Sequence, residues 1–425
     1  MRTWGRLTEY QVDARTLSNR DSVADALHAR PGLAQGSARS YGDVGVAATT
    51  WSTRGLDRFI DFDSANGILT VESGVELGEI QRIFSSRGWM LPVTPGTQYV
   101  TVGGAIANDI HGKNHHVAGT FGEHVLSLTL ARSDGTHSEC SQAANTELFR
   151  ATIGGLGLTG IITQASIQLK KVTGPWIDSE TIPFKNHKEF WTLSRESESF
   201  EYSVAWFDCT TKSGRGIFTR GNHSAETRQT KAPKTLNFPL TPPFSLINRL
   251  TLKPLNLAYY ILGKFAAGSK TVHYRPFFYP LDAITNWNRA YGSGGFFQHQ
   301  CVIPKRSAKQ ALDELLGEIR RAKAGSLLAV LKTTGDRNPP GLLTFPTEGV
   351  TLALDFPNRG AKTIELLTRL DEIVLKHGGR VNPSKDATMS PETFAASFPN
   401  QIAFNKYRDP KISSHFAERV IDRKP

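Results

Sequence analysis

The sequence is poor in cysteine and has no long apolar run. Its three cysteines, Cys140, Cys209 and Cys301, are odd in number and far apart. This spacing excludes a disulfide framework and a paired-cysteine metal site, and it suits a reducing compartment. No apolar run reaches the roughly 18 residues that a membrane-spanning helix needs. Residues 1–19 lack the apolar segment of a secretory signal, so we expect no signal peptide.

Acidic residues are missing from one stretch of this chain, whose net charge is +11. None occurs between Glu226 and Asp282, where eight cations lie: Arg228, Lys231, Lys234, Arg249, Lys253, Lys264, Lys270 and Arg275. Residues 244–265 within it are apolar and aromatic. This combination suits a surface that lies on an anionic membrane or grips a lipid phosphate. A basic loop packed on the core is an equally open reading. Nucleic acid is disfavoured because no binding motif accompanies the charge.

The length predicts two domains, because single cores stop growing at about 250–300 residues. Residues 59–62 and 68–72 form a predicted hairpin, followed by a helix with Leu77, Ile80, Ile83 and Phe84 on one face. Residues 126–131 and 136–140 form a second hairpin. Beyond residue 171, strands at 296–303, 327–331 and 350–356 accompany helices at 308–322 and 362–377, with Ile364 in the second helix's inward stripe. The pattern predicts an α+β protein.

Three glycine-rich segments lie in the first third of the chain. They are GSARSYGD at 36–43, TVGGAIANDIHGKNHH at 101–116 with Pro95-Gly96-Thr97 before it, and GGLGLTGII at 154–162. Small residues let the backbone approach a ligand, and successive N–H groups can cradle a pyrophosphate. None of the three fits the Rossmann or Walker A pattern, which disfavours an ordinary NAD or ATP site.

Together these segments resemble, in order and spacing, the FAD-binding domain of the vanillyl-alcohol-oxidase superfamily, and within it the polyprenyl-phosphoryl-sugar oxidases. The likeness continues through AWFD at 205–208, GFFQHQCVIP at 295–304, LDFP at 354–357 and SKD at 384–386. It implies a two-domain, PCMH-type FAD-binding fold with an antiparallel-sheet substrate domain. The expected parts are an FAD-binding domain at 1–174, a substrate-binding domain at 175–380, and a return to the FAD domain at 381–425.

The resemblance also implies which residues meet FAD. They are Ala38, Arg39, Ser40, Tyr41, Gly42, Gly96, Thr97, Gly103, Gly104, Asn108, Ile110, His111, Gly112, Gly157, Gly160, Ile161 and Lys385. In covalent relatives a histidine after the first glycine loop attaches to the flavin. Asp43 stands at that place here, so the implied FAD is noncovalent.

Lys385 is the first catalytic candidate by the same resemblance, with His111 and Tyr41 beside it. As an ammonium it would stabilise negative charge, and as a desolvated amine it would be a base; both roles stay open. The implied substrate pocket contains Trp206, Phe278, Gln298, Gln300, Lys332, Ala353 and Asn382. Phe278, Ala353 and Asn382 differ from residues of some family members, which leaves the exact sugar open.

A metal site is not expected, although His111, His115, His116 and His124 are close in sequence. Their spacing matches no zinc motif, and no carboxylate or thiol completes a ligand set.

The leading hypothesis is FAD-dependent oxidation of the ribosyl 2'-hydroxyl of a polyprenyl-phosphoryl sugar to the 2'-keto form, the first half of a ribose-to-arabinose epimerisation. It implies a lipid-linked sugar phosphate substrate, a separate NAD(P)H-dependent keto-sugar reductase, and a quinone or other electron acceptor. The expected location is cytoplasmic or peripheral on the inner membrane. One alternative is a soluble alditol or aldonolactone oxidase with noncovalent FAD, and another is a flavoprotein fold kept as a scaffold subunit.

Overall fold

The computed structural model describes residues 1–226 and 235–423, so Arg228, Lys231 and Lys234 of the basic stretch lie outside it. Within the described residues, two sheets dominate. The first has five antiparallel strands in the order β4-β5-β9-β7-β8. Its strands are β4 (Phe59–Asp63), β5 (Ile68–Glu72), β7 (Val125–Ala131), β8 (His137–Ser141) and β9 (Ile161–Gln168). Both predicted hairpins are confirmed, as β4-β5 and β7-β8.

The second sheet has eight strands in the order β15-β11-β13-β12-β18-β19-β17-β20. They are β11 (Trp176–Phe184), β12 (Tyr202–Phe207), β13 (Gly216–His223), β15 (Gly268–His273), β17 (Phe296–Pro304), β18 (Ala329–Thr334), β19 (Gly349–Pro357) and β20 (Arg380–Val381). Each pair of neighbouring strands in it is antiparallel. The predicted antiparallel sheet of an α+β fold is therefore confirmed.

Smaller strand groups join these sheets. β1 (Asp13–Thr16), β2 (Leu33–Gln35) and β3 (Thr49–Ser52) form a parallel sheet. Two further pairs are β6 (Trp89–Met90) with β10 (Lys170–Lys171), and β14 (Leu236–Asn237) with β16 (Ile284–Thr285).

The α-helices of the described chain are mostly short. They are α1 (Val23–Ala29), α2 (Leu77–Phe84), α3 (Val102–Ala107), α4 (His115–Ala118), α5 (Thr146–Thr152), α6 (Glu189–Glu196), α7 (Leu252–Phe265), α8 (Tyr274–Phe278), α9 (Ala308–Arg321), α10 (Ala361–Lys376), α11 (Pro391–Ser397) and α12 (Gln401–Asn405). α9 and α10 cover the eight-stranded sheet with buried leucines such as Leu315, Leu316 and Leu370.

Two details of the second sheet correct the sequence predictions. Ile364 is 44% exposed rather than part of the inward stripe of α10. It lies in the first turn, where the shorter Thr363 fills the inward position and donates to the Pro357 carbonyl. β18 begins at Ala329 instead of residue 327, because the Leu327 carbonyl accepts the Trp206 indole N–H at 2.8 Å.

The C-terminal segment packs back against the first part of the chain. Arg132 donates to the carbonyls of Tyr407 and Arg408, and Ser133 donates to the Asp409 carboxylate. Arg419 forms a two-bond ion pair with Asp43 at 3.0 and 3.1 Å. These contacts are those of the predicted return, whereas the exact domain boundaries stay a prediction.

The apolar stretch at 244–265 ends in α7, which lies on the surface of the eight-stranded sheet. Leu252 and Asn256 are buried against the sheet, but the opposite side of the helix is exposed. This stretch therefore packs on the core by one side of α7, and its opposite side is exposed. Across the two described ranges, no helix is long and apolar enough to cross a bilayer.

Candidate active site

A long cleft runs between the first sheet and the second, and the glycine-rich segments line most of it. The loop at 36–42, the Gly96-Thr97 turn, the start of α3 at Gly103 and Gly104, and the turn at Gly157 and Gly160 all face this space. Of the seventeen residues predicted to contact FAD, fifteen line the cleft, and the exceptions are Gly112 and Ile161. A single elongated ligand would touch all three segments.

The backbone comes close to the cleft because these positions lack side chains. A Cβ on Gly36 would lie 2.2 Å from the Thr101 Oγ1, and that oxygen accepts the Gly104 N–H at 3.2 Å as the N-cap of α3. Gly157 and Gly160 have φ of 78° and 147°, which side chains rarely adopt. The strained, close-packed backbone therefore requires glycine at these points.

Polar atoms without protein partners also face the cleft. They are the Arg39 Nε, the Ser73 Oγ and the Asn108 Oδ1, all buried and unbonded within the described chain. A buried polar group without a partner is costly, so a ligand with hydrogen-bonding groups is expected to meet it. A Cβ on Gly45 or Gly96 would touch no protein atom and would enter open cleft space. An elongated cofactor with phosphates and a polar ring, such as FAD, fits this lining.

Lys385 lies at one end of the cleft, above the Tyr41 ring. Its Nζ is 4.6 Å from the ring centroid, a cation–π contact. The loop that carries it is fixed because the Tyr41 N–H donates to the Ser384 carbonyl at 3.3 Å. Burial lowers the pKa of Lys385 to about 8, although the nearby Asp355 carboxylate opposes that shift.

Asp355 is the carboxylate of this cleft end, and it is fully buried on β19. One oxygen accepts a hydrogen bond from the Gln298 Nε2 at 2.6 Å, whereas its Oδ2 has no partner among the described residues. Burial raises the pKa of Asp355 to about 7, and the Gln298 bond and the Lys385 charge reduce that rise. Asp355 and Lys385 thus each favour the charged form of the other.

Lys332 brings a second amine to the same end of the cleft. It projects from β18, where it pairs in register with Thr351. Burial lowers the pKa of Lys332 to about 8, and the charge of Lys385 lowers it further. Two lysine side chains therefore share a poorly hydrated space with one carboxylate, an arrangement that favours an anionic ligand.

A chain of amide and imidazole groups crosses the floor of the cleft. The Asn382 Nδ2 donates to the Gln300 Oε1 at 3.0 Å, and the Gln300 Nε2 lies 3.2 Å from the His111 Nε2. Burial lowers the pKa of His111 well below its usual range, and Lys332 lowers it further. The imidazole is therefore neutral. Because its Nε2 accepts from Gln300, its proton lies on Nδ1.

Strand register explains why these groups meet. Gln298 and Gln300 are two residues apart on β17, so both point to the same face, as the sequence predicted. Gln300 lies opposite Ala353 of β19, and the chain after β20 returns so that the Asn382 N–H donates to the Gln300 carbonyl. Gln298, Gln300, Lys332, Ala353 and Asn382 all line the cleft.

Four residues predicted to contact FAD or the substrate do not line this cleft, and their roles stay predictions. Ile161 is fully buried in the core because alternation along β9 points Ile162 to the cleft instead. Gly112 packs against the Thr94 carbonyl and the Asn114 side chain.

The other two are aromatic. Trp206 is held by its indole bond to Leu327 and packs on Tyr259, with ring centroids 4.5 Å apart. Phe278 lies in a separate aromatic cluster with Tyr202, Tyr274 and Tyr279.

Sequence reasoning also missed several lining residues, notably Trp4, Ser73, Asp282, Trp287, Val330 and Phe345. Val330 was detectable, because it precedes Lys332 by two residues on the same strand face. Trp4 gave no local signal. It reaches the cleft because the N-terminal segment packs on the 36–42 loop, where the Arg39 guanidinium lies 4.4 Å from the Trp4 ring and 5.0 Å from the Tyr99 ring.

The remaining histidines of the 111–124 region are bonded to the backbone. His115 Nδ1 accepts the Gly335 N–H, and His116 and His124 bond the carbonyls of Phe200 and Ala118. Within residues 1–226 and 235–423, no group of three His, Cys, Asp or Glu side chains is arranged to hold a metal ion.

Comparisons with known proteins agree with this geometry. A family model described as an FAD binding domain matches residues 20–141. The decaprenylphosphoryl-beta-D-ribose oxidase of Mycolicibacterium smegmatis is 34% identical over 93% of this chain and 90% of its own length. An uncharacterized protein of Streptomyces coelicolor is 29% identical over 81% of this chain and 100% of its own. The L-gulonolactone oxidase of Mus musculus is 32% identical, but over only 27% of this chain and 26% of its own.

The protein is an FAD-dependent oxidoreductase of the kind that acts on hydroxyl groups. It belongs to the FAD-linked oxidases of the vanillyl-alcohol-oxidase superfamily, in the family that includes the Mycolicibacterium oxidase. The expected fold class and cofactor are thereby confirmed.

Valine in place of Gly96 should abolish FAD binding while the protein still folds. A Cβ at this position would have no described protein atom within 4 Å, so the added side chain is expected to enter the cleft. The flavin absorbance of the purified variant measures the loss, and its circular dichroism spectrum reports the fold. Gly174→Val is the control, since its Cβ also meets nothing but lies outside the cleft lining. A fully yellow Gly96→Val protein would place the cofactor elsewhere.

Proposed function

We propose that the protein oxidises the 2'-hydroxyl of a polyprenyl-phosphoryl ribose to the 2'-keto sugar, as the first half of a ribose-to-arabinose epimerisation. The observation that carries this proposal is the cleft end itself, where Lys332 and Lys385 lie with Gln298 and Gln300 next to the glycine-lined space. The similarity to the Mycolicibacterium oxidase extends over 90% of that enzyme and supports the same substrate class.

The second candidate is a soluble alditol or aldonolactone oxidase. It is supported by the similarity to L-gulonolactone oxidase, which covers only 26% of that enzyme. With a neutral polyol or lactone bound, two desolvated lysines would face one carboxylate, so one positive charge would stay unbalanced. A sugar linked through a phosphate provides that charge, which favours the first candidate.

The chemistry divides between the cofactor and the chain. Bound FAD would supply a two-electron acceptor for the hydride of the carbinol carbon, and the hydroxyl proton would pass to solvent water. The ammonium of Lys385, favoured by Asp355, would stabilise the negative charge that develops during this transfer. Neutral His111 and Gln300 would orient the sugar hydroxyls through hydrogen bonds, and Tyr41 would hold Lys385 in place.

The product and the collected electrons require partners. The 2'-keto sugar would pass to a separate NAD(P)H-dependent reductase that returns the hydroxyl with the opposite configuration. A quinone or another acceptor would reoxidise the cofactor. A polyprenyl substrate also implies that the enzyme works at a membrane surface.

We further propose that FAD is held noncovalently. Asp43 is nearly buried and bonded twice to Arg419, so this position offers no nucleophile for attachment. Precipitation of the purified protein with acid should therefore release the flavin into the supernatant and leave a colourless pellet. A yellow pellet that survives washing would contradict noncovalent binding.

Anaerobic mixing with polyprenyl-phosphoryl ribose should bleach the flavin absorbance, whereas xylitol and gulonolactone should not. Lys385→Met should keep FAD but slow the bleaching by roughly 10²–10³-fold, because a preorganised charge is lost. Lys362→Met, at the exposed start of α10, is the matched control and should bleach at the normal rate. Bleaching by xylitol alone would support the second candidate, and an unchanged rate in Lys385→Met would exclude a catalytic lysine.

The pH profile should identify the working form of Lys385. Its pKa is lowered to about 8, so the ammonium is present below pH 8 and lost above it. The rate of bleaching at limiting substrate should therefore fall as the pH rises through about 8. Asp355→Asn removes a charge that raises this pKa, so the falling limb should move to lower pH. A bleaching rate that rises as the pH passes through 8 would instead indicate that the free amine acts as a base.

A further inference from the structure

Helix α7 exposes an apolar face, which is the reverse of an ordinary surface helix. Seven residues of its outward side are all apolar and all exposed. They are Pro254, Leu255, Leu257, Ala258, Ile261, Leu262 and Phe265. Leu262 is 66% and Phe265 83% exposed. At 100° per residue these positions fill one continuous arc. Surface helices normally turn a polar arc to water, so this face has a partner to bind.

The inward side of α7 is firmly attached, which fixes the rotation of the helix. Leu252 and Asn256 are buried, and the Asn256 Nδ2 donates to the Asp208 Oδ1 at 3.0 Å and to the Ser326 carbonyl at 3.3 Å. A Cβ on Gly263 would lie 2.5 Å from the Ile217 side chain. Turning the apolar arc inward would break these bonds, so the exposed face is a stable property of the fold.

The segment that precedes α7 also exposes large apolar side chains. Four of its large apolar side chains are strongly exposed, namely Leu236 (68%), Leu240 (74%), Phe244 (67%) and Leu250 (87%). We call these four residues and the outward side of α7 the apolar surface.

Positive charge borders the apolar surface. Lys253 and Lys264 lie at the margin of the exposed arc of α7, and both are exposed. Arg249, Lys270 and Arg275 are nearby in sequence, and no acidic residue occurs between Glu226 and Asp282. Lysines beside an apolar helix face are typical of helices that lie in the interface of an anionic bilayer.

We propose that the apolar surface docks on an anionic phospholipid bilayer, with α7 lying in the plane of the interface. α7 has 14 residues and so extends about 21 Å, too short to cross a hydrocarbon core of about 30 Å. A second copy of this chain fits less well, because a twofold contact would oppose one cationic border with another. Anionic headgroups would be attracted by the lysines, and the stretch between Glu226 and Asp282 contains no acidic residue to repel them.

The apolar surface continues to the rim of the cleft. The Leu246 N–H donates to the Ala290 carbonyl, and the Ser293 N–H donates to the Pro242 carbonyl. Ala290 belongs to the turn that begins with Trp287, a lining residue of the cleft, and Ser293 follows that turn. Docking would thus bring the cleft rim to the lipid. Only the use of this arrangement for a lipid-linked substrate rests on the proposed function.

Vesicle binding of the FAD-loaded, full-length protein tests the docking surface. Sedimentation with phosphatidylcholine vesicles that contain phosphatidylglycerol should retain the protein, and vesicles of phosphatidylcholine alone should retain much less. The variant Leu262→Gln with Phe265→Gln should lose at least about tenfold in the partition coefficient, since two large apolar side chains leave the interface. Ile402→Gln with Val117→Gln changes two exposed apolar residues elsewhere and should bind as the parent does.

A charge variant separates the electrostatic contribution. Lys253→Glu with Lys264→Glu should weaken binding to the anionic vesicles by more than about tenfold, whereas Lys362→Glu with Lys411→Glu, on other surfaces, should have a smaller effect. All these residues are exposed, so bound flavin should stay unchanged and confirm the fold.

Three results would overturn the proposal. They are no vesicle binding by the parent protein, equal binding by the Leu262→Gln, Phe265→Gln variant, or a loss of self-association in that variant by light scattering with vesicle binding unchanged. The last would assign the apolar surface to a second copy of the chain. The vesicles contain no sugar substrate, so failure here leaves the flavin-bleaching result intact, and failure of bleaching leaves this one intact.

Discussion

The close contact between two loops places the catalytic candidates, and the rest of the cleft end depends on it. A Cβ on Gly42 would lie 1.7 Å from the Asp386 carbonyl oxygen, so the loop at 36–42 and the loop at 384–386 touch backbone to backbone. The Tyr41 N–H bond to Ser384 and the Arg419 bonds to Asp43 lie on either side of that contact. Lys385 is therefore held over Tyr41 by packing between segments more than 300 residues apart in sequence.

That contact also creates the electrostatic problem of the site. Lys385 and Lys332 are withdrawn from water together, and Asp355 is the buried carboxylate that favours the charge of Lys385. Gln298 fixes one oxygen of Asp355 and leaves the other without a partner. A buried set with an excess of positive charge is poorly satisfied without a ligand. An anionic substrate would restore the balance, which links the desolvation of these groups to the choice of substrate.

Much of the fold and of the cleft lining could be predicted from the sequence, and the parts that could not be predicted have physical reasons. The hairpins follow from turn residues, and the shared strand face of Gln298 and Gln300 follows from alternation along the strand. Both signals are local in sequence. Trp4 and Asp282 reach the cleft through long-range packing, for which no local pattern exists. The Ile161 side chain points to the core because one step along β9 reverses the face, and its predicted contact with FAD stays a prediction. Trp206 and Phe278 were transferred from the family pattern, and their surroundings in this chain turn them to other contacts.

The apolar stretch at 244–265 is another segment whose exposed side could not be predicted from the sequence. Its composition was compatible with a surface that lies on a membrane or with a basic loop packed on the core, because the sequence alone does not say which side of the segment meets the sheet. Asn256 decides it. As a polar residue among leucines it would be expected to face water, yet it is buried and bonded to Asp208, so Leu255, Leu257 and Leu262 face outward. The buried amide of Asn256 therefore fixes which side of this apolar helix is exposed beside the cleft rim.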